Sequence, residues 1–158
     1  MLTRLHIRNF ALIDELEIEF GPGLTVLTGE TGAGKSILVG ALGAGLGDRG
    51  DIERIRQGQE RAEVTLEFVS DAGARWLQER DLSTSADDVL LRRVLSRDGR
   101  GRAYINGSTV TVNDLRGLSE HVLDIHGQHE HYSLLRKPIQ RGLLDEYAGL
   151  TQTCERVA

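Results

Sequence analysis

Eight consecutive residues carry the densest chemistry in this chain: Gly29-Glu30-Thr31-Gly32-Ala33-Gly34-Lys35-Ser36. They satisfy G-x-x-x-x-G-K-[ST], the pattern of a loop that wraps phosphate groups. Glycines at 29, 32 and 34 let the backbone turn its N–H groups inward with no Cβ in the way, which makes a nest for an anion. A helix starting near Lys35 adds the positive end of its dipole. The Lys35 ammonium is expected to reach the β- and γ-phosphates, and the Ser36 hydroxyl to ligate Mg²⁺. Lysine occurs elsewhere only at Lys137, so its presence in the loop is selective. The pattern predicts a site for a nucleoside triphosphate with Mg²⁺.

The elements on either side must aim this loop. Leu24–Thr28 is a short, β-branched apolar run that reads as a buried strand, and Ile37–Leu42 reads as helix, ending where glycines cluster at Gly43–Gly47. Upstream, Leu2–Asn9 alternates, with Leu5 and Ile7 on one side and Arg4, His6 and Arg8 on the other. Leu12–Phe20 alternates again, with Leu16, Ile18 and Phe20 set against Glu15, Glu17 and Glu19. Two strands therefore precede the one that feeds the loop, unlike a simple mononucleotide-binding fold.

Downstream, Asp48–Glu60 is polar and reads as a loop. Ala62–Val69 is a strand, Gly73–Arg80 a short helix, and Val89–Ser96 and Arg102–Ile105 are strands around an Arg-rich turn. Asn106-Gly107 marks a hairpin turn back through Ser108–Val110. Thr111 and Asp114 resemble a capping box that opens a helix. His121–His126 reads as a strand, and Ile139–Tyr147, after Pro138, as a helix.

Composition narrows the class. Of 158 residues, 39% are hydrophobic and 27% charged, which is ordinary for a soluble globular domain with an aliphatic core. The formal charge of −5 argues against a generally basic nucleic-acid-binding domain. The single cysteine, Cys154, can form no internal disulfide, and no run of 18 apolar residues exists. A cytoplasmic protein with no membrane partner is the expectation.

Four stretches in order carry a resemblance: Ile7-Arg8-Asn9-Phe10, Leu16-Glu17-Ile18-Glu19-Phe20, the loop through Ile37, and Asp124–His131 (DIHGQHEH). Together they resemble the RecN family of bacterial DNA repair proteins, in the SMC-like branch of the ABC ATPases. Related SMC loops usually carry Asn at the position of Thr31; Glu30-Thr31 and the HGQH string are what point to RecN. The resemblance implies an α/β fold of ABC/SMC head type, a mixed sheet with an antiparallel portion, of which this chain is the N-terminal half. Residues 1–149 would form that lobe and 150–158 would begin a coiled-coil helix. It further implies that Gln128 touches the Mg²⁺ shell and the attacking water, and that Arg8 and Asn9 lie near the nucleotide. The implied partners are the C-terminal half of the same head, a second head in a homodimer, and DNA in double-strand break repair, in the cytoplasm at the nucleoid. No signature motif, Walker B acids or switch histidine is recognisable here, so hydrolysis would need the other half.

Rival readings remain at this stage. A self-contained P-loop enzyme of another class, a GTPase or nucleotide kinase, has its best support in Asp124-Ile-His-Gly127-Gln128, a D-x-x-G as GTPases have, although the same string occurs at Asp98 and Asp114 and no N-K-x-D is present. Asp124 could be a Walker B acid, but Glu120-His121 interrupt the apolar run such a strand wants. His126, His129 and His131 are metal-ligand types without a second pair to close a site. The arginines at 92, 93, 97, 100 and 102 read either as phosphate contacts or as a solvated hairpin. A non-catalytic interaction module with a vestigial loop is the third possibility.

Overall fold

The computed structural model describes residues 1–29, 34–48, 52–82 and 88–123, with positions 125, 140, 141, 144, 147 and 148 beyond them. The chain divides into two units, 1–123 and 124–158. In the second, positions 140, 141, 144 and 147 are helical, in line with the helix expected there.

The first unit is a six-stranded sheet with helices on one face. In chain order come β1 (Leu2–Phe10), β2 (Ile13–Glu19), α1 (Gly34–Gly45), a 3₁₀ turn (Ile52–Arg54), β3 (Arg61–Val69), α2 (Asp71–Gln78), β4 (Asp88–Ser96), β5 (Arg102–Ile105), β6 (Ser108–Val110) and α3 (Val112–Val122). The strands lie in the order β2-β1-β3-β4-β5-β6, and every pairing is antiparallel.

Strand alternation sorts the side chains. Leu5 and Ile7, Val64, Leu66 and Phe68, Val89 and Leu91, and Ala103 and Ile105 are all buried on one face. Ala41 and Ala44 of α1, Trp76 and Leu77 of α2, and Leu115 and Leu118 of α3 are buried with them. The other face is a charged lattice. Register sets Arg4, His6 and Arg8 opposite Glu19, Glu17 and Glu15, and Arg4 also reaches Glu67 at 3.5 Å. Glu63 takes Arg92 as a two-pronged fork, Nε to Oε1 at 2.7 Å and Nη2 to Oε2 at 2.8 Å.

The capping box expected from Thr111 and Asp114 is present. The Asp114 amide donates to Thr111 Oγ1 and the Thr111 amide to Asp114 Oδ2, at 3.2 and 2.8 Å. The Thr111 hydrogen bonds hold the Asp114 carboxyl below its ordinary pKa.

Two expectations are corrected. Leu24–Thr28 forms no strand: the segment has no ladder partner among the described residues, and Leu24 and Val26 are 91% and 68% exposed. A buried strand needs neighbours to take its N–H and C=O groups, and these residues have none. His121 and Val122 are not strand either. They complete the last turn of α3, and the chain becomes extended only at Leu123. The periodicity of Leu115, Leu118 and Val122 carries the helix through the polar pair Glu120-His121.

Candidate nucleotide-binding site

The two ends of the glycine-rich loop are described, Gly29 on one side and Gly34 on the other; Glu30, Thr31, Gly32 and Ala33 lie outside the described residues. Helix α1 begins at Gly34, so Lys35 and Ser36 occupy its first turn, where backbone N–H groups are unpaired and the dipole is positive. No acidic residue sits in that turn to neutralise it. Gly34, Lys35 and Ser36 are all exposed. The Lys35 ammonium donates to the Gly29 carbonyl at 2.7 Å. Among the described residues, no atom lies within 4 Å of a Cβ placed on Gly29 or Gly34.

Small residues seat the helix on the sheet. Ala41, Gly43, Ala44 and Gly45 form its buried side. At Gly45 a Cβ would come within 2.8 Å of Leu66 Cδ1 and 3.1 Å of Val64 Cγ1, so the glycine permits the close approach of α1 to β3.

A second support was not legible in the sequence. Residues 54–56 tie α1 to the end of β1. Arg54 Nη1 donates to the Gly40 carbonyl at 2.9 Å. The Ala11 amide donates to the Arg54 carbonyl and the Arg56 amide to the Asn9 carbonyl, at 2.6 and 2.9 Å. Ile55 pairs with Phe10 and is 3% exposed. Its signal was slight, one isoleucine in a run of charges. Asn9 itself adopts a left-handed conformation (φ 53°), which suits the chain's exit from β1; its backbone carbonyl, through Arg56, anchors this tie.

Gln128, expected beside the nucleotide, lies outside the described residues, as do Asp124 and the histidines 126, 129 and 131. Among the described residues, no helix is long and apolar enough to cross a membrane.

The AAA domain family AAA_23 matches residues 4–140. The chain belongs to this family. Its relatives include the DNA repair protein RecN of Vibrio cholerae, 42% identical over 94% of this chain, and that of Xylella fastidiosa, 46% identical over the same share. RecN of Bacillus subtilis is 41% identical. The chain spans about a quarter of these relatives' length, 27% for the first two and 26% for the third. Among solved structures, one from work on ATP-driven dimerization and DNA-stimulated activation of SMC ATPases superposes with a TM-score of 0.65, at 23% identity over 92% of this chain and 97% of that one. The SMC head domain of Thermotoga maritima superposes with a TM-score of 0.56, at 23% identity over 73% of this chain and 41% of that one. These similarities place the fold with SMC-type heads.

Proposed function

We propose that this chain is the nucleotide-holding lobe of a RecN-type ATPase head, residues 1–149 forming the lobe and 150–158 starting a coiled-coil helix. The observation that carries the reading is the exposed first turn of α1, with Lys35 drawn back to the Gly29 carbonyl and, among the described residues, no atom close to a Cβ on either flanking glycine. On this reading the backbone from Gly29 to Ser36, including Glu30, Thr31, Gly32, Ala33 and Gly34, cradles the phosphates of ATP. Lys35 leaves the Gly29 carbonyl for the β/γ-phosphates, Ser36 ligates Mg²⁺, and Gln128 reaches the metal shell. Asn9 lies toward the nucleotide at the end of β1. When bound, Mg²⁺ would supply neutralisation of phosphate charge. The chain's own residues bind and orient; phosphoryl transfer to water is mostly positioning and charge stabilisation.

The general base is expected from the C-terminal half of the head. Leu24, Val26 and Leu27, exposed along the segment that enters the loop, suit the docking of that half, because its strands would satisfy both their backbone and their side chains. Two such heads would close on ATP, act on DNA in double-strand break repair, and work in the cytoplasm at the nucleoid.

Titration calorimetry with Mg-ATP, with turnover followed in parallel, tests this. The chain alone should bind weakly and turn over negligibly, the C-terminal half added in trans should restore both, and Lys35→Ala should abolish binding in either setting. Steady hydrolysis by the chain alone, lost in Lys35→Ala, would refute the division of labour.

A further inference from the structure

Charge is segregated on the sheet. β2 carries Asp14, Glu15, Glu17 and Glu19 and no cation, whereas the β4–β5 hairpin carries five arginines between Arg92 and Arg102 with Asp98 as the single carboxylate among them. Pairing decides how much of that positive charge is left. Glu63 cancels Arg92, whose guanidinium also lies 5.3 Å from the ring centre of Tyr104. Arg97 bonds to the carbonyls of Gln59, Ile55 and Arg56, which fix its place without cancelling its charge. Arg100, Arg102 and Arg61, all exposed, make no ion pair among the described residues. Arg93 faces the core and takes no part in this surface.

Strand register gathers the uncancelled cations on the outer face. On β3 Ala62 and Val64 are buried, so Arg61 and Glu63 point outward; on β5 Ala103 and Ile105 are buried, so Arg102 and Tyr104 point outward. Arg61 stands opposite Ser96 and Arg102 opposite Val94 across β4. The two are therefore two strands apart and one two-residue step along, roughly 12 Å at Cα, spaced for separate phosphates rather than for one. Arg100 and Arg97 sit in the adjoining turn. Glu60 and Asp98 are the carboxylates beside these four in the chain. Hydrogen bonds from Ser96 and from the Arg100 amide, with Arg61 nearby, hold the Asp98 carboxyl below its ordinary pKa. It stays ionised, and the arginines still outnumber it.

We propose that the outer sheet face at this hairpin end, through Arg61, Arg97, Arg100 and Arg102, docks the phosphate backbone of a duplex nucleic acid. Planar guanidiniums match phosphate oxygens, and the opposite charge draws the duplex to this end of a chain whose net charge is −5. A protein partner would bury an apolar centre, yet none of the exposed large hydrophobic residues lies between positions 88 and 110. A single strand would need free rings to stack its bases; Tyr104, the hairpin's aromatic residue, is half-buried and taken by Arg92. Contacts of this kind fix a duplex in place without reading its sequence. The choice of nucleic acid rests on the DNA part of the function proposed above.

The test follows the anisotropy of a short labelled duplex against salt, with the full chain and no nucleotide. Arg100→Ala/Arg102→Ala should lower the slope of log affinity on log salt by roughly two and weaken binding roughly tenfold or more at about 0.1 M salt. Arg61→Ala, on another strand, should lower the slope by roughly one, and it carries the test should the pair not fold. The charge-matched pair Arg75→Ala/Arg80→Ala, exposed on α2, should leave the slope unchanged. No loss in the hairpin variants, or an equal loss in the α2 pair, overturns this surface and leaves the DNA reading standing. Polyglutamate of matched charge that displaces the duplex as well as unlabelled duplex does overturns the nucleic acid in favour of an acidic chain. A parent that binds no duplex at low salt overturns the DNA reading and this surface with it.

Discussion

Gly45 brings the site helix close against β3, and adding one methyl there tests whether that contact sets the position of Lys35. A Cβ would sit 2.8 Å from Leu66 Cδ1, 3.1 Å from Val64 Cγ1 and 3.2 Å from Leu66 Cγ. Carbon atoms rest at roughly 3.5–4.0 Å, so about 1 Å must open between helix and strand. Leu66 and Val64 are both 0% exposed and cannot swing out of the way. Overpacking of this kind costs roughly 1–3 kcal/mol. Gly→Ala in a helix recovers at most about 1 kcal/mol, and less at the final residue of α1. Gly45→Ala should therefore destabilise by about 1–2 kcal/mol. Leu66→Ala alone should cost roughly 2–5 kcal/mol through its cavity. In the double variant the new methyl enters that cavity, so the combined loss should fall short of the sum by roughly 1–2 kcal/mol. Urea unfolding of the four proteins measures this, and Mg-ATP titration should show weaker binding in Gly45→Ala with partial recovery in the double variant. Additive stability losses would mean that Gly45 does not bear on Leu66, and the account of how α1 is seated would be wrong.

The Glu63–Arg92 fork carries a pH signature. The Arg92 hydrogen bond lowers the Glu63 pKa from 4.5, so its stabilisation is complete above that value and is lost as pH falls through the lower folded value. Both groups are partly solvated, so Glu63→Gln should cost no more than about 1 kcal/mol at pH 7. The stability difference from the parent should shrink below pH 4.5 in acid unfolding curves. Arg97→Met should cost roughly 1–2 kcal/mol by leaving the carbonyls of Ile55, Arg56 and Gln59 without their charged donor. Amide exchange should accelerate selectively in that loop, and uniform acceleration across the sheet would argue against a local tie.

Sequence reading reached furthest where the physics is local. The alternation of Leu5 and Ile7 against Arg4, His6 and Arg8 was enough to orient β1, because strand side chains change face at every residue. Asn106-Gly107 announced its turn, with both residues at positive φ as such a hairpin requires. Thr111 and Asp114 announced the cap of α3 because the bonds span only three residues. The glycine-rich loop is readable as a candidate phosphate site for the same reason, because phosphate binding needs those residue types next to one another in the chain.

Other features depend on partners distant in the chain. Leu24–Thr28 has the composition of a buried strand, but burial needs neighbours, and none is present among the described residues. Val122 reads as strand from its immediate surroundings; its contact with Gly73 on α2, where a Cβ would lie 2.8 Å from Val122 Cγ1, belongs to a helix pair. The arginines of the hairpin are alike in sequence, and only the fold gives Arg92 a carboxylate, gives Arg97 three carbonyls and leaves Arg93 buried among aliphatic side chains with none. Residue types and spacing thus determined most of the elements and pointed to a candidate phosphate loop, whereas the worth of each charge was decided by tertiary structure, because desolvation and pairing depend on which distant groups the fold brings within a few ångströms.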